Sequence, residues 1–411
     1  MLGGSWRAPC RQAEASRCCR ALCRAELGHH AARSLPHPLT SCSRPAHGEP
    51  SPRLVGSSLT RPLRGSIQTH TTKNSSGTSA AYVQELLKDD SVPIERAPTR
   101  LTTTGRVIAI GDLHGDWRKT VDSFRTAGVI NVTEDSEIVW TGGDAIVVQL
   151  GDVMDRGDHE IAIVKFLRDL DDQARQHGGA VYMLNGNHES LNICGDFRYV
   201  TPGAFVESAL YAGLSEQDLR DWDLLARVRY AVYRPGGPMA VELSKNPTVL
   251  IINDTVFAHG GLLPVHVNYG VEKLNAEVSA WMRADQTADG GKALPPFLAM
   301  GDSSSVMWNR TQSKEKFPSQ HERYHACGAL RQALEMVGSK RLVVGHTPQI
   351  GGANCECEGL VWRLDVGMSY GVLNRPVQVL EISRDGNEDI LTVLSDAPVS
   401  SDSEDNGIVG I

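Results

Sequence analysis

From about residue 82 the chain alternates between two hydrophobic rhythms. Short apolar runs rich in β-branched residues at 106–110, 146–150 and 180–184 predict buried strands. Residues 116–127 predict a helix. Across 158–177, Ile161, Val164, Leu167, Leu170 and Ala174 recur at helical spacing and predict an amphipathic one. Further β-rich runs fall at 248–252, 255–258, 341–344, 361–365, 377–382 and 390–394. Such alternation predicts an α/β fold with helices covering sheet. Helices punctuate the second half less regularly, which favours two mixed sheets over one parallel sheet. The body spans 82–395. Within it, 191–247 lacks a βα rhythm and reads as an insertion on the substrate side. The small polar residues of 73–81 read as a linker, and 396–411 as an acidic disordered tail with little to bury. No internal repeat is visible.

The polar residues that follow the strands carry the chemistry. Run 106–110 ends in Gly111-Asp112-Leu113-His114-Gly115-Asp116, and run 146–150 in Gly151-Asp152-Val153-Met154-Asp155-Arg156-Gly157. Run 180–184 leads to Asn185-Gly186-Asn187-His188-Glu189, run 255–258 to His259-Gly260-Gly261, and run 341–344 to Gly345-His346-Thr347. Five strands thus deliver Asp, Asn or His to glycine-containing turns, the position where α/β sheets bind ligands. Carboxylates, imidazoles and an amide oxygen without cysteine suit Mn²⁺ or Fe, with Zn²⁺ an alternative. The six candidates, Asp112, His114, Asp152, Asn187, His259 and His346, exceed what one tetrahedral ion takes. They match two divalent ions ~3.5–4 Å apart, sharing a carboxylate. The Asp-x-His spacing of Asp112 and His114 places both on one side of an extended segment.

Taken together, GDLHGD, GDVMDRG, GNHE, HGG and GHT resemble the signature of the phosphoprotein phosphatase branch of the metallophosphoesterases, over roughly 105–385. The stretch from Trp140-Thr141-Gly142-Gly143-Asp144 to Asp158 is similar to that of the Shewanella-like protein phosphatases. The resemblance implies a four-layer sandwich of two mixed sheets flanked by helices. It implies hydrolysis of phosphoserine or phosphothreonine by water activated between the two ions. One ion would take Asp112, His114 and Asp152, the other Asp152, Asn187, His259 and His346. His188 would protonate the leaving oxygen, Asp155 would orient His188, and Arg156 would clamp the phosphate. The common eukaryotic Ser/Thr phosphatases have a second phosphate-binding arginine, for which Arg310 is the candidate here. They also carry a Ser-Ala-Pro-Asn-Tyr-Cys loop that shapes toxin binding, where this chain has Leu364-Asp365-Val366-Gly367-Met368-Ser369-Tyr370-Gly371. A phosphotyrosine phosphatase, a bis(nucleosyl)-tetraphosphatase-like hydrolase and a catalytically silent scaffold are the competing readings.

Charge and cysteine distribution change the picture at the N-terminus. The chain of 411 residues carries 41 Lys and Arg against 49 Asp and Glu, a net −8. Residues 1–72 hold ten Arg, no Lys, three Glu and no Asp, so they sum to +7 and leave −15 for the remainder. An Arg- and Ser-rich, acid-poor leader without an apolar core reads as an organellar transit peptide, disordered by composition. Shewanella-like phosphatases of plants and algae carry chloroplast transit peptides, so the resemblance implies a chloroplast, with a mitochondrion the alternative. The acidic remainder argues against nucleic acid as a partner, and no apolar run approaches the ~20 residues of a membrane span. A phosphoprotein is the expected partner, and the sequence names no regulatory subunit. Five of nine cysteines lie in the leader. In the body, Cys194, Cys327, Cys355 and Cys357 read as free thiols, with a redox-active Cys355-Glu356-Cys357 the alternative.

Overall fold

A computed structural model describes residues 96–396, except 135, 136 and 387. The leader (1–72), the linker (73–81) and the tail past Asp396 lie outside the described residues. The first half runs β1 (Arg100–Leu101), β2 (Val107–Ile110), α1 (Trp117–Thr126), β3 (Ile130–Val132), β4 (Ile138–Trp140), β5 (Ile146–Gln149), α2 (Glu160–Arg175) and β6 (Ala180–Met183). The expected insertion is helical, with α3 (Asn187–Ile193), α4 (Pro202–Tyr211), α5 (Trp222–Tyr233) and α6 (Pro238–Leu243). Then come β7 (Val249–Ile252), β8 (Thr255–Ala258), α7 (Pro264–Tyr269), α8 (Val271–Met282), α9 (Phe297–Met300) and α10 (Gln320–Val337). The last strands are β9 (Arg341–Val344), β10 (Asn354–Glu356), β11 (Val361–Arg363), β12 (Gln378–Asp385) and β13 (Glu388–Ser395).

These strands form two large mixed sheets. One has the order β13-β12-β2-β5-β6 and the other β1-β7-β8-β9-β11-β10, while β3 and β4 make a separate hairpin. Strand alternation builds the layers. Val107, Ala109, Ile146, Val148, Ala180 and Tyr182 of the five-stranded sheet join Leu250, Ile252, Phe257 and Val343 of the six-stranded sheet in one buried cluster. The alternate residues, Ile108, Ile110, Val147 and Val181 on one side and Val249, Ile251, Val256 and Val344 on the other, pack with helical residues. Helix, sheet, sheet and helix therefore stack as four layers.

Register brings the polar turns together. Parallel pairing sets Ile110 beside Gln149 and Gln149 beside Met183, so β2, β5 and β6 finish level. In the second sheet β8 and β9 run parallel with Phe257 opposite Val343, and the Gly345 N–H donates to the His259 carbonyl at 3.0 Å. Local capping defines where the chain turns. The Asp116 side chain accepts from the Lys119 N–H at the start of α1, and Thr201 accepts from Ala204 at the start of α4.

The cysteine expectation is corrected. Cys327, on α10, is disulfide-bonded to Cys357 across 30 residues, and Cys194 and Cys355 form no disulfide among the described residues. The pairing depends on α10 lying against the segment after β10, which neighbouring positions in the sequence do not reveal. No helix among the described residues is long and apolar enough to cross a membrane.

Candidate active site

The five turns meet at one edge of the sandwich. From the five-stranded sheet, the loop after β2 supplies Asp112 and His114, the loop after β5 supplies Asp152, Asp155 and Arg156, and α3 begins with Asn187 and His188. From the six-stranded sheet, the residues after β8 and β9 supply His259 and His346. Apart from Arg156, each of these side chains is buried.

Left-handed backbone aims many of them. Of ten non-glycine residues at positive φ among the described residues, five are His114, Asp152, Asp155, Arg156 and His346. Such conformations persist where the surroundings over-determine them, and they cluster at functional sites. With φ 45° at His114, simple strand alternation does not explain how Asp112 and His114 are placed. The turn does this, because the Leu113 and His114 N–H groups both donate to the Asp152 carbonyl, at 3.1 and 2.9 Å. Gly151 sits at φ 93°, and a Cβ there would meet the backbone of Gly186, so this turn requires glycine.

Asp152 is the hub. Its Oδ2 lies 3.1 Å from His259 Nε2 and 3.8 Å from His188 Nε2, and its Oδ1 accepts from the His188 N–H at 2.9 Å. Asn187 Oδ1 is 2.9 Å from His259 Nε2. Two trios of potential ligand atoms, His114-Asp152-His188 and Asp152-His259-His346, each lie within 4.8 Å of one another and share Asp152. Asp112 falls outside both trios but adjoins them, since its carboxylate accepts from the His346 N–H at 3.1 Å. His188 falls inside one, although its expected role is that of an acid.

The donor set fits a pair of divalent ions. Each expected imidazole ligand has one ring nitrogen on a backbone carbonyl. His114 Nδ1 lies 2.9 Å from Met154 O, His259 Nδ1 2.9 Å from Leu150 O, and His346 Nε2 3.1 Å from Trp308 O. Such a bond fixes tautomer and ring orientation, leaving the second nitrogen as the donor, as metal sites require. The electrostatics agree. Burial and the neighbouring Asp365 carboxylate push Asp112 well above the usual carboxylate range. Burial opposes ionisation of Asp152 too, but His259 and His188 outweigh it and hold that carboxyl well below its usual value. Burial works against a charged His259, and Asp152 overrides it, raising His259 to about 10. His114 is lowered to about 3 by burial and by His188. Without cations the buried carboxylates therefore draw a proton onto His259. His and Asp residues are positioned for a dinuclear metal site.

Beside this cluster stands a histidine–carboxylate pair. His188 Nδ1 is 2.5 Å from Asp155 Oδ2, and His188 Nε2 faces Arg156 Nη2 at 3.4 Å. Burial lowers the His188 pKa, but Asp152 and Asp155 outweigh it and raise it above its ordinary value. Arg310 Nη1 donates to the His346 carbonyl and to Thr347 Oγ1, both at 2.9 Å, so a second guanidinium borders the site.

The structure adds residues that sequence reading passed over. Glu189, at the end of the GNHE motif, accepts from the N–H groups of Asp152, Val153, Met154 and Gly186 at 2.6–3.2 Å, tying two turns together. Asp365 is buried near Asp112 and raised to about 6, first by burial. Tyr199 packs against His188 with ring centroids 5.2 Å apart, and the Arg156 guanidinium lies 5.4 Å from its ring. Motif position signalled Glu189, but nothing in the sequence signalled Tyr199.

The family profile for calcineurin-like phosphoesterases matches residues 105–349. Shewanella-like protein phosphatase 2 of Arabidopsis thaliana is 38% identical over 344 residues, covering 75% of this chain and 82% of that one. This chain is a calcineurin-like phosphoesterase of the Shewanella-like phosphatase group. Shewanella-like protein phosphatase 1 of Plasmodium berghei is 29% identical over 270 residues, 64% of this chain and 67% of that protein. Among solved structures, a cold-active protein-tyrosine phosphatase of a psychrophilic Shewanella species superimposes with TM-score 0.54. At 23% identity over 76% of this chain and 84% of that one, the likeness concerns the fold. The phosphatase therefore has the expected four-layer architecture, and its cluster of Asp, Asn and His lies where the two sheets meet.

Proposed function

We propose that this phosphatase hydrolyses phosphoserine and phosphothreonine in proteins, using two divalent ions, with Mn²⁺ the first choice and Fe or Zn²⁺ the others. Asp112, His114 and Asp152 would hold one ion, and Asp152, Asn187, His259 and His346 the other. When bound, such a pair supplies Lewis-acid charge and lowers the pKa of coordinated water. The observation that carries the reading is the His188–Asp155 pair beside the hub carboxylate Asp152. Asp155 holds the proton of Nδ1, so Nε2 is the nitrogen that meets substrate. There the raised pKa keeps a proton available for the departing seryl or threonyl oxygen, a poor leaving group unless protonated. Arg156, 3.4 Å from that nitrogen, is placed to take phosphate oxygens, and Arg310 is the second candidate.

The test is steady-state kinetics of the full chain on a panel of phosphoserine, phosphothreonine and phosphotyrosine peptides and a diadenosine polyphosphate, with metals varied. The reading expects the seryl and threonyl peptides to have the highest kcat/KM. Preference for phosphotyrosine or for the dinucleotide overturns it. A protein that binds no ion and stays inactive after Mn²⁺ addition would be a binding scaffold. We also propose an organellar destination, supported by the Arg-rich leader, and a chloroplast before a mitochondrion. Imaging a fluorescent fusion of the full chain decides between them.

A further inference from the structure

One side chain from the helical region 191–247 reaches the back of the site. Arg229, on α5, is fully buried, far from where an arginine ordinarily sits. Every nitrogen of its guanidinium is engaged. Nε and Nη2 donate to Asn192 Oδ1 at 3.2 and 2.6 Å, Nη2 to Glu160 Oε2 at 2.6 Å, and Nη1 to Ser208 Oγ and the Ala204 carbonyl at 2.9 and 3.1 Å. The plane lies 4.5 Å from the Tyr233 ring centroid.

Two of these acceptors lead to the same residue. Asn192 Nδ2 donates to Asp155 Oδ1 at 3.0 Å, and Glu160 Oε1 accepts from the Asp155 N–H at 2.7 Å. Arg229, Asn192, Asp155 and Glu160 close a hydrogen-bonded ring, and the other Asp155 oxygen holds His188. A core ion pair needs only Glu160 and Arg229. The ring adds a second route, through Asn192, to the carboxylate that orients the histidine. Asn192 itself is oriented by Arg229, because its amide oxygen faces the guanidinium and its NH₂ is left for Asp155. Asn192 Nδ2 also donates to the His188 carbonyl at 3.0 Å, so the ring grips both members of the pair.

We propose that Arg229 is a positioning residue for proton donation by His188. Through Asn192 and Glu160 it holds Asp155, at its left-handed φ of 69°, aimed at His188 Nδ1. That bond fixes the His188 ring and leaves Nε2 to face the leaving oxygen. This inference rests on the acid role given to His188 above.

The experiment compares the full chain with Arg229→Lys, Asn192→Ala and His188→Asn, each loaded with Mn²⁺. Each is assayed on a phosphoserine peptide and on p-nitrophenyl phosphate, whose leaving group needs no proton. Arg229→Lys is expected to lower kcat on the peptide by about 10-fold or more, a fraction of the roughly 10²–10⁴ a general acid supplies. KM and the aryl rate should change far less. In the metal-free protein the far-downfield proton resonance of His188 Nδ1–H, assigned by its absence in His188→Asn, should shift or vanish. Equal loss on both substrates, or an unmoved resonance, overturns the proposal. If Arg229→Lys does not fold, Asn192→Ala carries the same comparison, since it cuts one link and spares the Arg229–Glu160 pair. Should His188→Asn itself reduce both substrates equally, the acid reading fails. A leaving-group effect in His188→Asn alone removes only the role of Arg229.

Discussion

The two sheets contribute unlike things to the site. The five-stranded sheet brings both carboxylates of the cluster, Asp112 and Asp152, together with His114, Asn187, His188 and Arg156. The six-stranded sheet brings two imidazoles, His259 and His346. Four of the five site residues at positive φ belong to the first sheet and one to the second. The first sheet sets both expected metal-binding carboxylates on left-handed turns, and the second places imidazoles against them, with the buried Asp365 beside Asp112. His259 raised to about 10 by Asp152 is that complementarity across the interface. The site is thus completed by packing, through the buried cluster of Val148, Ala109, Phe257 and Val343.

The sharpest way to break the comparison is at the hub. Asp152→Ala should remove ion binding and nearly all activity, well beyond the roughly 10–100-fold that loss of an outer-shell partner costs. Metal content and kcat/KM measured together check it, and an active variant with its ions retained would refute the bridging role. Next comes the proton. His188 is raised above 6.5, so its charged form persists past that pH and is lost as pH rises through the folded value. Turnover of phosphoserine should therefore fall on the alkaline side while p-nitrophenyl phosphate turnover falls less, and the same titration removes stability in the same direction.

A milder cut goes between the sheets. Phe257 is fully buried there, and Phe257→Ala should cost about 3–5 kcal/mol of stability. If packing completes the site, ion affinity should weaken alongside the drop in Tm; unchanged affinity would mean that each sheet holds its ligands independently. The smallest expected effect lies in the segment that follows β11 and crosses to the first sheet. Its Tyr370 N–H donates to Asp116 Oδ2 at 2.9 Å. Because it lacks the Ser-Ala-Pro-Asn-Tyr-Cys loop, okadaic acid and microcystin should inhibit weakly. Inhibition at nanomolar concentration would contradict this.

Much of this was legible in the chain because each functional turn follows an apolar run that can only be a buried strand. Val107–Ile110 and Ile146–Gln149 are buried throughout, and glycine with a ligand-type residue comes next. The boundaries erred by up to three residues, by two at each end of α2, expected over 158–177 and found at Glu160–Arg175, and by three at the end of β12. Other features depend on partners distant in sequence. Arg229 reads as one more charge on a mixed helix, and its acceptors Asn192 and Glu160 lie 37 and 69 residues away. Cys327 and Cys357 are joined by packing of α10. The helix α8 was missed although Val271, Leu274, Val278 and Trp281 show the helical spacing that buries them.

Glu189 has a consequence for assembly. Its carboxylate accepts four backbone N–H groups from the turns on either side of Asp152 and Asn187. Those turns are therefore tied to each other by the polypeptide's own bonds. Small metal-dependent domains fold only as they capture their ion. These bonds lead us to expect that a chelator empties the site of a protein that stays folded, so that a different divalent ion can then be offered to it; loss of the folded signal on chelation would contradict this.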